Sequence, residues 1–427
     1  MGEALKRFRK NPLQVLFFTV FLDMVRFGIL IPVIPELLAN PHSPYFLLPH
    51  GLTIQNGYIL LGFLTAVFPL AQFFATPIFG QLSDVYGRKK LLVISLAGTF
   101  ISYLLFAYGI LTRNLGLLFF SRAVDGVTGG NISVAQAAIA DVTTPENRAK
   151  NFGMIGAAFG LGFILGPYIG GKLSDPSVLP FFDATTPFWF AAGLSLLNTL
   201  SVIFFFPETL KHAKAKLELR ITDSVRNIAK AFSLKEIRPL FLTSLLFQGG
   251  FTFFATFFPI FLINRFAFTQ GNIGDLFSYM GLWIAFTQAF ITRKIAARYR
   301  EDETLKITLF GVSFAVLIYF FPHSWWQLLF IVPLMAIFNG LSNVNLTGLI
   351  SRSVGPKIQG EILGINASVQ ALAQAIPPIL SGYIAASLTP STPILVSSFV
   401  LLLAGLAFVF FYRPAAKIHP AFQPTST

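Results

Sequence analysis

Cysteine is absent from the 427 residues, which excludes disulfides, thiolate nucleophiles and cysteine-ligated metals. Charge is scarce: Asp, Glu, Lys and Arg make up 11% of the chain, against about a quarter in a soluble domain. No G-x-x-x-x-G-K-[ST] run occurs, so the chain carries no phosphate-cradling loop of its own, which argues against an ATP-driven pump. The five histidines, His42, His50, His212, His323 and His419, fall between apolar runs or in the tail. They read as loop residues, and no metal site is expected.

What is present is hydrocarbon. Hydrophobic residues make up 54% of the chain, in recurring runs of roughly 20 residues, each long enough to cross about 30 Å of bilayer as a helix. Twelve spans are predicted near 12–36, 55–79, 91–111, 115–140, 149–172, 187–206, 238–263, 272–292, 304–321, 325–350, 358–386 and 392–412. The chain therefore reads as an all-α membrane protein of two six-helix groups, residues 1–208 and 237–427, joined by a charged linker at 209–236. In that linker Ile221, Val225, Ile228 and Phe232 recur at helical spacing among Arg220, Arg226 and Lys230, the pattern of a helix in the headgroup plane.

The net charge of +13 suggests nucleic acid only until its placement is considered. Basic residues flank the apolar runs, where they meet anionic lipid headgroups. With the N-terminus inside, the outer connections hold only Arg113, Lys172 and Arg265, as the positive-inside bias requires. Both termini are then cytoplasmic, in the inner (plasma) membrane. The first span is too long for a signal peptide and contains Asp23 and Arg26. The two groups echo each other weakly: a proline-bearing turn and a glycine-spaced helix follow span four at 141–153 and span ten at 353–364.

Charges inside the spans are the strongest pointers to function. Asp23 and Arg26 on span one, and Arg122 and Asp125 on span four, lie about 10–20 Å in from their helix starts, near the bilayer middle. Facing lipid they are costly, so they should face a cavity or one another. The remaining reading is structural, with paired charges locking helices together.

Two further motifs stand out. Between spans two and three runs Gly80-Gln81-Leu82-Ser83-Asp84-Val85-Tyr86-Gly87-Arg88-Lys89-Lys90. Here Asp84 can face the positive end of a neighbouring helix, Gly87 permits a tight turn, and Arg88 is available for a carboxylate such as Asp141. Span five carries Gly153, Gly162, Gly166, Pro167, Gly170 and Gly171, a bare stripe for close helix packing with a proline bend.

Together these motifs resemble the major facilitator superfamily, and within it the twelve-helix drug:proton antiporters. The nearest likeness is to the tetracycline-efflux proteins, in the first span at 22–35 and in the cytoplasmic turns at 140–149 and 350–360. The resemblance implies two pseudo-symmetric six-helix bundles and alternating access coupled to inward proton flow. It makes residues 80–90 a cytoplasmic gating motif, and implies a cavity lined by spans one, four, seven and ten. Proton-coupling candidates are then Asp23, Asp125, Arg26 and Arg122. Cavity candidates are Gln136, Gln248, Phe251, Asn339 and Asn343. Ser102 stands where the tetracycline proteins carry an acid in span three, and span nine has no acid beyond its flanking loop. That departure argues against tetracycline itself.

The function so expected is proton-coupled efflux of a lipophilic, drug-like compound. Its partners are a small-molecule substrate and the bilayer, with no nucleic acid. It needs no cofactor beyond the proton and works as a monomer. The alternatives are a symporter or facilitator for a sugar or organic anion held by Arg26 and Arg122, a polytopic membrane enzyme, or a non-transporting sensor. The enzyme reading is weakened by the lack of cysteine and of intramembrane histidine.

Overall fold

A computed structural model describes residues 12–143, 148–210, 220, 222–354 and 358–413. Among them the chain forms fifteen α-helices. These are α1 (Pro12–Leu38), α2 (Ile54–Tyr86), α3 (Arg88–Leu111), α4 (Leu115–Thr128), α5 (Asn131–Asp141), α6 (Arg148–Ser174), α7 (Thr186–Phe205) and α8 (Asp223–Ser233). They continue with α9 (Arg238–Phe266), α10 (Gln270–Phe286), α11 (Thr292–Ala296), α12 (Glu301–Ile318), α13 (Leu328–Arg352), α14 (Gln359–Ser387) and α15 (Thr392–Phe411). Helix is what a bilayer demands, because every backbone N–H and C=O must be satisfied within the segment. Eight helices, counting the turn Trp325–Gln327 with α13, are long and apolar enough to cross a membrane by length and composition.

The structure departs from the sequence reading in three places. The motif at 80–90 is predicted as a loop, but α2 stays helical to Tyr86 and α3 begins at Arg88, so the connection is Gly87 alone. Gly87 has φ of 97°, a backbone region that side chains avoid. Span four is predicted as one helix and is interrupted at Gly129–Gly130. Span eight ends in a π turn, Thr287–Ile291, in which Thr292 Oγ1 donates to the Thr287 carbonyl at 3.0 Å.

The chain packs as two units, residues 1–222 with 262–281, and residues 223–261 with 282–427. In the first, α3 packs on α4 and α7. In the second, α12 packs likewise on α13 and α15, the positions that a six-helix repeat makes equivalent. Small hydroxyls tie both sets. Ser102 donates to the Ser121 carbonyl at 3.0 Å between α3 and α4, and Ser342 donates to Thr308 at 2.9 Å between α13 and α12. Such bonds suit membrane helices, where apolar burial drives association only weakly.

The linker helix α8 docks on α14, with Asn227 Nδ2 donating to Ser368 at 3.2 Å and Lys230 paired with Glu361. Its protein-facing side is Ser224, Asn227 and Ala231, while Val225 remains 51% exposed. Of the predicted apolar stripe, Val225 is thus exposed while Ile228 and Phe232 are half-buried. Ile221 falls outside the described residues.

Candidate functional site

The site begins with the seam between α1 and α6. Added Cβ atoms at Gly162, Gly166 and Gly170 would collide with Met24, Val25, Gly28 and Ile29 of α1. The glycines therefore let α6 lie backbone to backbone on the segment that carries Asp23 and Arg26. Pro167 abuts Gly28, and Gly171 abuts Gln270 and Gly274 of α10. Gly153 lies in α6, and its surroundings are outside the described part.

Pressed against that seam, Arg26 is 3% exposed and pairs with Asp23 three residues before it. Its Nη1 donates to Ser195 Oγ of α7 at 2.6 Å, and its Nε to the Leu22 carbonyl at 3.2 Å. Asn131, the first residue of α5, donates from Nδ2 to Asp23 Oδ2 at 2.5 Å. The interruption of span four thus places the start of a half-helix beside a buried carboxylate, where the helix dipole favours negative charge. The carbonyls around the break are satisfied by neighbours: Ser95 donates to the Thr128 carbonyl, and Gln72 Nε2 donates to that of Gly129 at 2.9 Å.

Arg122 Nη1 pairs with Asp125 Oδ2 at 2.7 Å, again three residues apart on one helix, with both residues about 5% exposed or less. Its guanidinium carbon lies 4.6 Å from the Phe68 ring centre, and that of Arg26 lies 5.9 Å from the Tyr103 ring centre. Asp125 interacts electrostatically with both guanidinium groups, so the two pairs form one cluster of balanced charge.

The cytoplasmic motif closes around Arg88. Its Nη1 bonds Asp84 at 2.6 Å and Ser83 at 2.6 Å, and its Nε bonds Asp141 at 3.0 Å. Asp84 is thus an ion-pair partner of Arg88. Glu208, just after α7, accepts the backbone N–H groups of Arg88 and Lys89 at 2.9 and 3.1 Å, and those of Thr209 and Leu210 at 2.9 Å each. One carboxylate therefore caps the start of α3, which no side chain of α3 itself does. Added bulk at Gly87 would strike that carboxylate, and Gly80 has room beside Ser133.

A profile of the Major Facilitator Superfamily matches residues 16–376 and 240–425. The chain belongs to the major facilitator superfamily. Tetracycline resistance protein, class H, of Pasteurella multocida is 31% identical over 377 residues, covering 88% of this chain and 89% of that protein. Multidrug resistance protein 2 of Bacillus subtilis (strain 168) is 25% identical over 408 residues, covering 94% and 96%. The crystal structure of the human organic anion transporter MFSD10 (TETRAN) superposes with a TM-score of 0.69 at 24% identity, covering 94% of this chain and 99% of that one. At that identity the superposition shows the fold. The protein is thus a multi-pass, twelve-helix membrane protein of a transporter superfamily.

Within that superfamily fold the polar candidates of the C-terminal half differ in burial. Asn339 on α13 is buried, while Asn343, one turn on, is exposed. Gln248 and Phe251 on α9 are half-buried, and Phe251 leads into an aromatic series in which Phe254 stacks on Phe258 and Tyr319 meets Phe258 edge-on. Gln136 on α5 is exposed. Sequence reasoning passed over Asn131, Ser195 and Asn198, whose Thr19 contact at 3.1 Å extends the polar column between α1 and α7. Isolated Ser and Asn in apolar runs carry no pattern that announces such partners. Glu36 was also missed: it is 3% exposed at the end of α1 and accepts from Asn40 Nδ2 at 2.7 Å. Ser102, buried at 3% exposure, ties α3 to α4.

Proposed function

We propose that this superfamily member exports lipophilic, drug-like compounds across the inner (plasma) membrane in exchange for protons, with both termini in the cytoplasm. The observation that carries the proposal is the cluster Asp23–Arg26–Arg122–Asp125, two acids and two guanidinium groups held inside the spans. Burial favours the protonated acid and each arginine favours the ionised one. A movement that separates an acid from its arginine therefore turns it from proton donor to proton acceptor. Asn131 reaches Asp23 from another helix, so rocking of α1 against α5 changes the environment of Asp23 directly. The names of the relatives, tetracycline and multidrug resistance, support a drug-like substrate. The Arg88 and Glu208 network supports a cytoplasmic gate. On this reading the chain is a transporter and not an enzyme, acts as a monomer and needs no cofactor except the coupling proton.

The test is proton movement in proteoliposomes under a fixed pH gradient, with a panel of lipophilic drugs and sugars. Drug-driven proton release is expected, and Asp23→Asn should abolish it while substrate exchange survives. Asn keeps the shape of the carboxyl but carries no proton. Substrate-driven acid uptake in the same direction would favour a symporter, and substrate transport without any proton movement would favour a facilitator. Normal coupling in both Asp23→Asn and Asp125→Asn would remove this cluster as the proton carrier.

A further inference from the structure

Arg122 has one bond to spare. Its Nη1 is taken by Asp125, but its Nε is buried and has no acceptor among the described residues. A buried guanidinium N–H without an acceptor is costly, so the group calls for a partner such as a water, an ion or a ligand oxygen. Beside it lies flat apolar surface. The guanidinium sits on the half-buried Phe68 ring, and Phe68 lies 6.0 Å from Phe27 at an inclination of 47°, with Phe27 38% exposed. Phe27 follows Asp23 by four residues, which puts both on one face of α1. The surrounding charges are already balanced, since Arg26 and Arg122 are matched by Asp23 and Asp125. A full anion would bring uncompensated charge into this cluster, whereas a neutral oxygen would not.

We propose that Arg122, Phe68 and Phe27 form a substrate subsite for a planar, uncharged compound bearing a carbonyl oxygen. The oxygen accepts from Arg122 Nε and the conjugated plane lies along the two rings. This deepens the transport reading by naming its substrate class, and it rests on that reading only for its biological sense. Binding can be measured without any proton gradient.

Equilibrium dialysis of the detergent-solubilised protein tests it with three probes on one tricyclic skeleton: xanthone, xanthene (which lacks the carbonyl) and xanthene-9-carboxylate. Xanthone should bind about tenfold tighter than xanthene, the worth of one hydrogen bond to a charged donor. Arg122→Lys keeps the charge for Asp125 but lacks the rigid guanidinium fork, and should bring the two affinities together. Phe68→Leu should weaken both probes by a similar factor, about two- to tenfold, because it removes the ring and not the donor. The subsite is overturned if xanthone and xanthene bind within twofold of each other in the unaltered protein. It is equally overturned if Arg122→Lys keeps the preference, if Phe68→Leu changes neither affinity, or if the carboxylate binds tightest. These results stand apart from proton coupling. A protein that shows the xanthone preference but releases no protons with any drug keeps the subsite and loses the antiport.

Discussion

Alanine at Gly166 should destabilise this protein, and alanine at Gly160 on the same helix should not. At Gly166 the added Cβ would lie 2.6 Å from the Val25 carbonyl oxygen and 2.8 Å from the Gly28 α-carbon. Both obstacles are backbone, so no rotamer change relieves them. Ordinary contact needs about 3.5 Å, so α1 and α6 must part locally by roughly 1 Å. Overpacking of this kind costs about 1–3 kcal/mol. A gap of that size also forfeits a quarter to a half of the attraction of each neighbouring atom pair. At about 2 kcal/mol the folded-to-unfolded ratio falls roughly thirtyfold. At Gly160 a Cβ meets nothing within 4 Å, so alanine gains about 0.5–1 kcal/mol of helix propensity. Two chemically identical changes six residues apart should therefore differ by about 3 kcal/mol in sign-opposed directions. Unfolding in detergent, followed by circular dichroism, reads the difference. A Gly166→Ala variant within about 0.5 kcal/mol of the parent, the usual scatter of surface changes, would refute the close seam. So would a Gly160→Ala variant that is equally damaged.

The charge cluster predicts that Asp125→Asn strands the Arg122 guanidinium and costs about 3–5 kcal/mol, while Arg122→Gln together with Asp125→Asn recovers most of it. A double variant no better than the single in thermal unfolding would contradict the pairing. Glu208→Gln should loosen the start of α3 by about 1–2 kcal/mol, since a neutral amide caps a helix less well than a carboxylate. Amide hydrogen exchange at Arg88 and Lys89 should accelerate. Asp183, in the turn before α7, is subject to burial that raises its pKa, but bonds from the Thr185 and Thr186 hydroxyl and backbone groups outweigh this and hold it below the usual carboxylate range. A depressed acid stabilises the fold above its ordinary pKa and ceases to do so as pH falls through the lowered value. Protection from exchange at Thr185 and Thr186, relative to the intrinsic exchange rate at each pH, should therefore fall only in that acid range, and Asp183→Asn should remove that fall.

Hydropathy alone determined that the chain spans the membrane, because a bilayer accepts little except roughly 20-residue apolar helices and each announces itself. The same scarcity of charge made Asp23, Arg26, Arg122 and Asp125 stand out, since a charge inside an apolar run is costly unless it is paired or faces a cavity. The glycine spacing of span five likewise foretold a close seam, but not its partner. Contacts distant in sequence were invisible: that α6 lies on α1, that Glu208 caps α3 across 120 positions, and that Asn131 reaches Asp23. Residues such as Asn131, Ser195 and Glu36 acquire meaning only from what they face, and facing is settled when helices pack. The short interruption of span four belongs with them. Gly129 and Gly130 permit a continuous helix as readily as a broken one, and the break is held by Gln72 and Ser95, donors that neighbouring helices supply.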